Sequence, residues 1–176
     1  MFNKEYVITG KHAEYLMGLS KDKSIMEKVD TGNNVFKMSY QVILLSALVG
    51  VMNNKKADKD TNKEIDSRRV SRETVMGNQD DFKYVFQMVM LANPEIEDSK
   101  IKVDLAFKSE SDEKLETEAM EIFDAYVRGG LEILYDKFFK NLGSKSNKFE
   151  AMKDCIIEMQ IQNGDSEQLS DEIFDF

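Results

Sequence analysis

The stretch from Glu121 to Phe139, EIFDAYVRGGLEILYDKFF, carries two adjacent glycines inside a strong helical pattern. An interior glycine costs a helix about 1 kcal/mol relative to alanine, so a tandem pair needs a reason in packing or in function. Apolar residues recur at steps of three and four through Leu115, Ala119, Ile122, Tyr126, Gly130, Leu134 and Phe138, which puts Gly130 on the apolar stripe. Gly129 falls one step round, toward Ala125 and Ile133. The missing bulk predicts a close crossing with a second helix, so replacing Gly130 should overpack the core while Glu132 should tolerate substitution. The expected partner is the most apolar run, Val35 to Met52 (VFKMSYQVILLSALVGVM), which has small residues of its own at Ser46, Ala47 and Gly50. That run contains Lys37, Ser39, Gln41 and Ser46 and falls short of the ~20 apolar residues that span a bilayer. It reads as a buried core helix.

Helical periodicity continues elsewhere, in Ala13, Leu16 and Met17, in Phe82, Val85, Phe86 and Val89, and in Phe149, Met152, Ile156 and Met159. The single proline, Pro94, follows Leu91, Ala92 and Asn93 where a helix should end, and Gly143 closes the long helix. Ile101, Val103, Leu105 and Phe107 alternate with Lys102, Asp104 and Ala106, a strand-like period of two whose candidate partner is Tyr6, Val7 and Ile8. The expected fold is therefore all-α, a single-domain bundle of about five helices with one candidate short β-hairpin. A chain of 176 residues is large enough to do this without metals or disulfides. The helical domain is expected over residues 1–164, followed by an acidic segment over 165–176.

Groups that could carry covalent chemistry are sparse. The one histidine, His12, lies near the start of the first helix and reads as structural or solvated. The one cysteine, Cys155, sits in an apolar helical pattern and reads as a small hydrophobe. Thr31 to Val35 (TGNNV) and Gly77 to Asp81 (GNQDD) lack the spacing and lysine of a phosphate loop and read as helix starts. Glu118, Glu121 and Asp124 are spaced by three, but without an accompanying histidine they read as a solvated face rather than a metal site. No catalytic residue, cofactor or metal is expected, so an enzyme is the least supported class. The N-terminus has no signal-peptide pattern, and a cytoplasmic location is the expectation.

The chain has a net charge of -9, which argues against general polyanion binding but leaves local patches open. Asn53 to Arg72, NNKKADKDTNKEIDSRRVSR, holds seven basic residues against four acidic ones, a local excess of three positive charges. Lys55, Lys56, Lys63, Arg68, Arg69 and Arg72 are the candidate contacts for a nucleic-acid backbone or an acidic protein surface, although no aromatic residues are interleaved for base stacking. The C-terminal stretch DSEQLSDEIFDF is the opposite case, with Leu169, Ile173, Phe174 and Phe176 set among five acids and no base. Such a segment suits docking on a partner protein.

Four segments also carry a resemblance: VFKMSYQVILLSALVGVMNNKK, NKEIDSRRV, DDFKYVFQMVMLAN and FDAYVRGGLEILYDKF, in that order. Together they resemble a family of small Dnd-system-associated proteins, bacterial proteins found beside DNA phosphorothioation genes and related phage-defence loci. The resemblance spans Val35 to Phe139 and is most specific at Tyr126 to Leu131; the stretch between Asn93 and Glu121 is longer here, and the acidic C-terminus is this chain's own. It implies an antiviral-defence context and no particular chemistry. The function expected is that of a non-enzymatic accessory subunit of an anti-phage system, binding a protein partner of a defence complex. The alternatives are a nucleic-acid-binding module that contacts the DNA phosphate backbone through residues 53–72, or an acidic inhibitor that mimics nucleic acid.

Overall fold

A computed structural model describes residues 1–20, 36–62, 67–140 and 157, and the fold is mainly helical. Strand β1 (Tyr6–Ile8) leads into helix α1 (Lys11–Leu19), followed by α2 (Ser39–Met52), strand β2 (Arg68–Val70), α3 (Arg72–Gly77), α4 (Gln79–Ala92), α5 (Ser99–Phe107) and the long α6 (Glu113–Tyr135). A 3-10 turn at Ser109–Ser111 separates α5 from α6, and a π-helical turn, Asp136–Lys140, follows α6. The chain divides into two units, Met1–Tyr135 and Asp136–Phe176. Nearly all the described residues belong to the first. The proposed helix at Phe149 to Met159, the boundary at 164/165, Cys155 and the acidic segment lie outside them.

α2 is apolar on every side and is buried at Val42, Ile43, Ser46, Ala47, Val49, Gly50 and Val51, as a core helix should be. α6 packs along it. A Cβ atom at Gly130 would stand 1.8 Å from the backbone oxygen of Ser46, and one at Gly50 would stand 2.1 Å from the backbone oxygen of Tyr126. The two helices therefore touch backbone to backbone, and only glycine fits on each side. Below the crossing, Phe82 and Phe86 of α4 and Phe123 of α6 gather around Phe2, with ring centroids 5.2 to 5.9 Å from it. α4 ends at Ala92, two residues before Pro94.

Two elements depart from the sequence reading. Residues 99–107 form helix α5, not a strand: Asp98 caps it by accepting from the Lys100 N–H at 2.7 Å, and only Leu105 and Ala106 are buried. Ile101, Val103 and Phe107 imitate alternation because they are exposed apolar residues rather than one face of a sheet. The Tyr6–Ile8 strand does form, but it pairs antiparallel with Arg68–Val70 (Tyr6 opposite Val70, Val7 opposite Arg69, Ile8 opposite Arg68). The end of the basic segment is thus a strand whose partner lies some sixty residues earlier.

If the crossing requires glycine, Gly130→Ala should lower unfolding stability by about 1–3 kcal/mol, because the Ser46 backbone cannot retreat without moving α2. Gly77→Ala, at a position where an added Cβ meets nothing within 4 Å, should be neutral or stabilising by up to about 1 kcal/mol. Urea unfolding of the two variants checks this, and equal stability would contradict it.

Candidate functional site

The first glycine of the pair, Gly129, has a separate task. A Cβ at Gly129 would lie 1.9 Å from the carbonyl oxygen of Lys55, so the chain leaving α2 runs directly over α6 at this point. Three hydrogen bonds then hold that chain down. The Lys55 N–H donates to the Gly50 oxygen at 2.8 Å, the Ala57 N–H to the Ala125 oxygen at 3.1 Å, and Arg128 Nε to the Ala57 oxygen at 2.8 Å. Asp60 anchors the far end: its carboxylate accepts from the Lys11 N–H, capping α1, and from the Asn62 N–H, at 2.8 and 2.9 Å. These backbone donors hold the Asp60 carboxyl below its ordinary value. The residues from Lys55 to Asp60 are an anchored strap, not a loose solvated loop.

Beside the strap lies an open cleft of about 620 Å³, lined by Lys11, Lys56, Ala57, Asp58, Lys59, Asp60, Ala125 and Glu132. Glu132 is its hub. Lys11 Nζ and Lys55 Nζ approach its two oxygens at 2.9 and 3.3 Å, and His12 Nε2 lies 3.3 Å from Oε1. Partial burial acts to raise the Glu132 pKa, but hydrogen bonds from Lys11, His12 and Lys55 outweigh it and leave the group below its ordinary value. Glu132 was expected to tolerate replacement; the structure places it between two lysine ammonium groups and a buried ring, contacts that the sequence did not show.

His12 itself is fully buried, and among the described residues its Nδ1 has no hydrogen-bond partner. Burial pushes its pKa below the ordinary histidine value, an effect the Glu132 hydrogen bond only partly offsets. The neutral tautomer with hydrogen on Nε2 fits this setting, because it donates to Glu132 and leaves a bare Nδ1 rather than a stranded N–H. The ring is thus buried in the fold rather than solvated.

The predicted basic residues are not brought into one patch. Lys55 and Lys56 lie on the strap, where Lys56 pairs with Glu95 and also stands 4.9 Å from the ring centre of Tyr126. That tyrosine is fully buried and donates to Asn93 Oδ1 at 2.8 Å, and burial, with Glu95 adding to it, pushes its pKa up to about 12. Arg68 is buried in β2, so its side chain belongs to the fold rather than to an open surface. Arg69 approaches Glu5 at 3.4 Å, and Arg72 donates from Nε to the Asn3 oxygen at 3.0 Å. Lys63, Leu169, Ile173, Phe174 and Phe176 lie outside the described residues. Lys11 joins the site without any signal in the basic segment, because the fold alone brings α1 against the strap.

Asp124 was read as part of a solvated carboxylate face, and the structure corrects this. It accepts a hydrogen bond from the buried Tyr6 hydroxyl, and burial raises the pKa of both groups. Glu118 and Glu121 are exposed. Among the described residues no group of three or more acidic, histidine or cysteine side chains is placed to hold a metal, and no helix is long and apolar enough to cross a membrane.

A mainly helical protein with a charged strap seated on Gly129 is the class that fold and site define. The chain belongs to the family of DNA sulphur modification system-associated protein 4, whose model matches residues 19–175. That membership agrees with the resemblance carried by residues 35–139, which already spans the strap and both helices of the crossing, and extends it to residues 19–34 and 140–175. No curated protein and no solved structure matches the chain.

Because the chain has one histidine, the imidazole can be titrated without ambiguity by NMR. It should titrate below the ordinary value of about 6.5, and lower still in Glu132→Gln, which loses the partner that favours the protonated form. Below about pH 6.5 the unfolded chain takes up a proton that folded His12 refuses, so this residue lowers stability as the pH falls toward its folded pKa and contributes no pH dependence above 6.5. A midpoint above 6.5 in the folded protein would contradict the assignment.

Proposed function

We infer that this chain is a non-enzymatic accessory subunit of its DNA sulphur modification system and that it acts by binding protein. Family membership supplies the system. The observation that favours protein over DNA is the matching of cations by carboxylates of the same chain: Glu132 for Lys11 and Lys55, Glu95 for Lys56, Glu5 for Arg69. The three carboxylates come from outside the basic segment and stand against four cations, three of them in the segment. Exposed ion pairs are weak, about 0–1 kcal/mol, and could exchange for phosphate. A phosphate backbone would still meet Glu132, Asp58 and Asp60 within the same cleft, and like-charge approach opposes binding. A surface of mixed sign suits a protein partner with complementary charges, where it governs specificity and encounter more than raw affinity.

The strap lysines Lys56 and Lys59 carry the contact on this reading, with the apolar residues Leu169, Ile173, Phe174 and Phe176 as a second anchor. The test is co-expression with the other protein products of the same modification system, followed by affinity capture. The full chain should recover one of those products. Lys56→Glu with Lys59→Glu should weaken capture, as should deletion of residues 165–176, while the circular dichroism spectrum stays unchanged. Fluorescence anisotropy with duplex DNA, with and without phosphorothioate linkages, should show no binding at physiological salt. Failure to recover any product of the system, or salt-sensitive DNA binding lost on Arg69→Ala with Arg72→Ala, would overturn the proposal, the second in favour of the DNA-backbone alternative.

A further inference from the structure

The strap is bonded to the fold along one edge and open along the other. Its chain contains no helix, turn or bend from Lys55 to Asn62. In an extended chain the N–H and C=O of one residue point to one side, and those of the next residue point to the opposite side. Lys55 and Ala57 face α6: the Lys55 carbonyl lies over Gly129, the Ala57 N–H donates to the Ala125 oxygen at 3.1 Å, and the Ala57 oxygen accepts from Arg128 at 2.8 Å. The N–H and C=O groups of Lys56 and Asp58 therefore face away from α6, and among the described residues none of the four enters a hydrogen bond. The open edge ends at Asp60, whose main-chain oxygen accepts from Thr9 Oγ1 at 2.8 Å.

Lysine side chains commonly guard an open edge of this kind against a second chain. Here Lys56 is drawn aside, because it pairs with Glu95 and stands 4.9 Å from the ring centre of Tyr126. Lys56 and Asp58 also line the open cleft, which leaves room for a chain beside them. The charged lining of that cleft consists of Lys11, Lys56 and Lys59 against Asp58, Asp60 and Glu132, so the two signs balance. Balance favours neither a polyanion nor a polycation. The uncommitted main-chain groups match a different chemistry, the alternating N–H and C=O of another extended polypeptide. A ladder of three residues is the length that already pairs β1 with β2 in this protein. The strap is held in place before anything binds, so the ordering cost falls on the incoming peptide alone.

We propose that the open edge of the strap, at Lys56 and Asp58, binds an extended peptide segment of a partner protein as an added β-strand. This rests on the protein-binding reading and specifies the form of the partner, a segment recognised through its main chain.

The probe is a set of overlapping peptides covering the other protein products of the same modification system, with fluorescence anisotropy against the full chain as the readout. At least one peptide should bind. In its presence amide exchange at Lys56 and Asp58 should slow at least about tenfold, while Ala57, already bonded to Ala125, changes little. Methylating the peptide's own amides one at a time should remove binding at alternate residues only, because every second N–H faces the strap. Asp58→Pro should weaken binding at least about tenfold more than Asp58→Ala, since proline alone removes the outward N–H. Should proline displace the strap and expose the Ala57 amide, the methylation pattern decides. Unchanged exchange at Lys56 and Asp58 in the complex, or loss of binding on methylation at consecutive residues, would overturn the proposal. Capture of a system product by the full chain without binding of any peptide would also overturn it and leave the accessory-subunit reading standing, whereas recovery of no product removes both.

Discussion

The structure depends on one contact, the backbone-to-backbone approach of α2 and α6 at Gly130 and Ser46 on one side and at Gly50 and Tyr126 on the other. Helix axes ordinarily stand 8–10 Å apart because side chains hold them there. Glycine on each partner removes that spacer. The helix-propensity cost of about 1 kcal/mol per glycine is offset by burial of α2 at Val42, Ile43, Ala47, Val49 and Val51. Other features follow from the approach. Tyr126 is drawn deep enough for its hydroxyl to reach Asn93, which closes the end of α4, and α6 is brought near enough for the chain leaving α2 to cross it at Gly129.

That crossing turns a charge-rich connection into a surface with fixed geometry. The strap has two backbone hydrogen bonds, one from the Arg128 side chain and a helix-capping aspartate to hold it, so its lysines are displayed at set positions around the cleft. Electrostatics there is decided by neighbours distant in sequence. Glu132 answers Lys11 and Lys55, Glu95 answers Lys56, and the buried neutral His12 packs beneath without adding charge. A segment that is cationic along the chain is nearly balanced in space.

The parts of the fold that were legible in the sequence are those governed by local periodicity and burial. α2 announces itself by unbroken apolarity, α4 by its 3–4 spacing and the stop before Pro94, and Gly130 by its place on the α6 stripe. Tyr6 to Ile8 was visible as a strand, but its partner was not, because pairing with Arg68–Val70 is a long-range choice with no local mark. α5 was misread since its exposed Ile101, Val103 and Phe107 break the rule that apolar residues face inward. At the site, Lys55 and Lys56 were legible from charge alone. Lys11 and Glu132 were not, because each acquires its role only when α1, α6 and the strap converge, and Gly129 was assigned to helix packing when its neighbour is the strap.

The central claim is that Gly129 seats the strap while Gly130 seats the helix crossing, two tasks for two adjacent glycines. Amide hydrogen exchange on Gly129→Ala separates them most directly. The added methyl group would meet the Lys55 carbonyl, so the Ala57 amide, bonded to the Ala125 oxygen, should lose its protection while the amides of α2 around Ala47 keep theirs. Unchanged protection at Ala57, or equal loss throughout α2 and α6, would contradict the account.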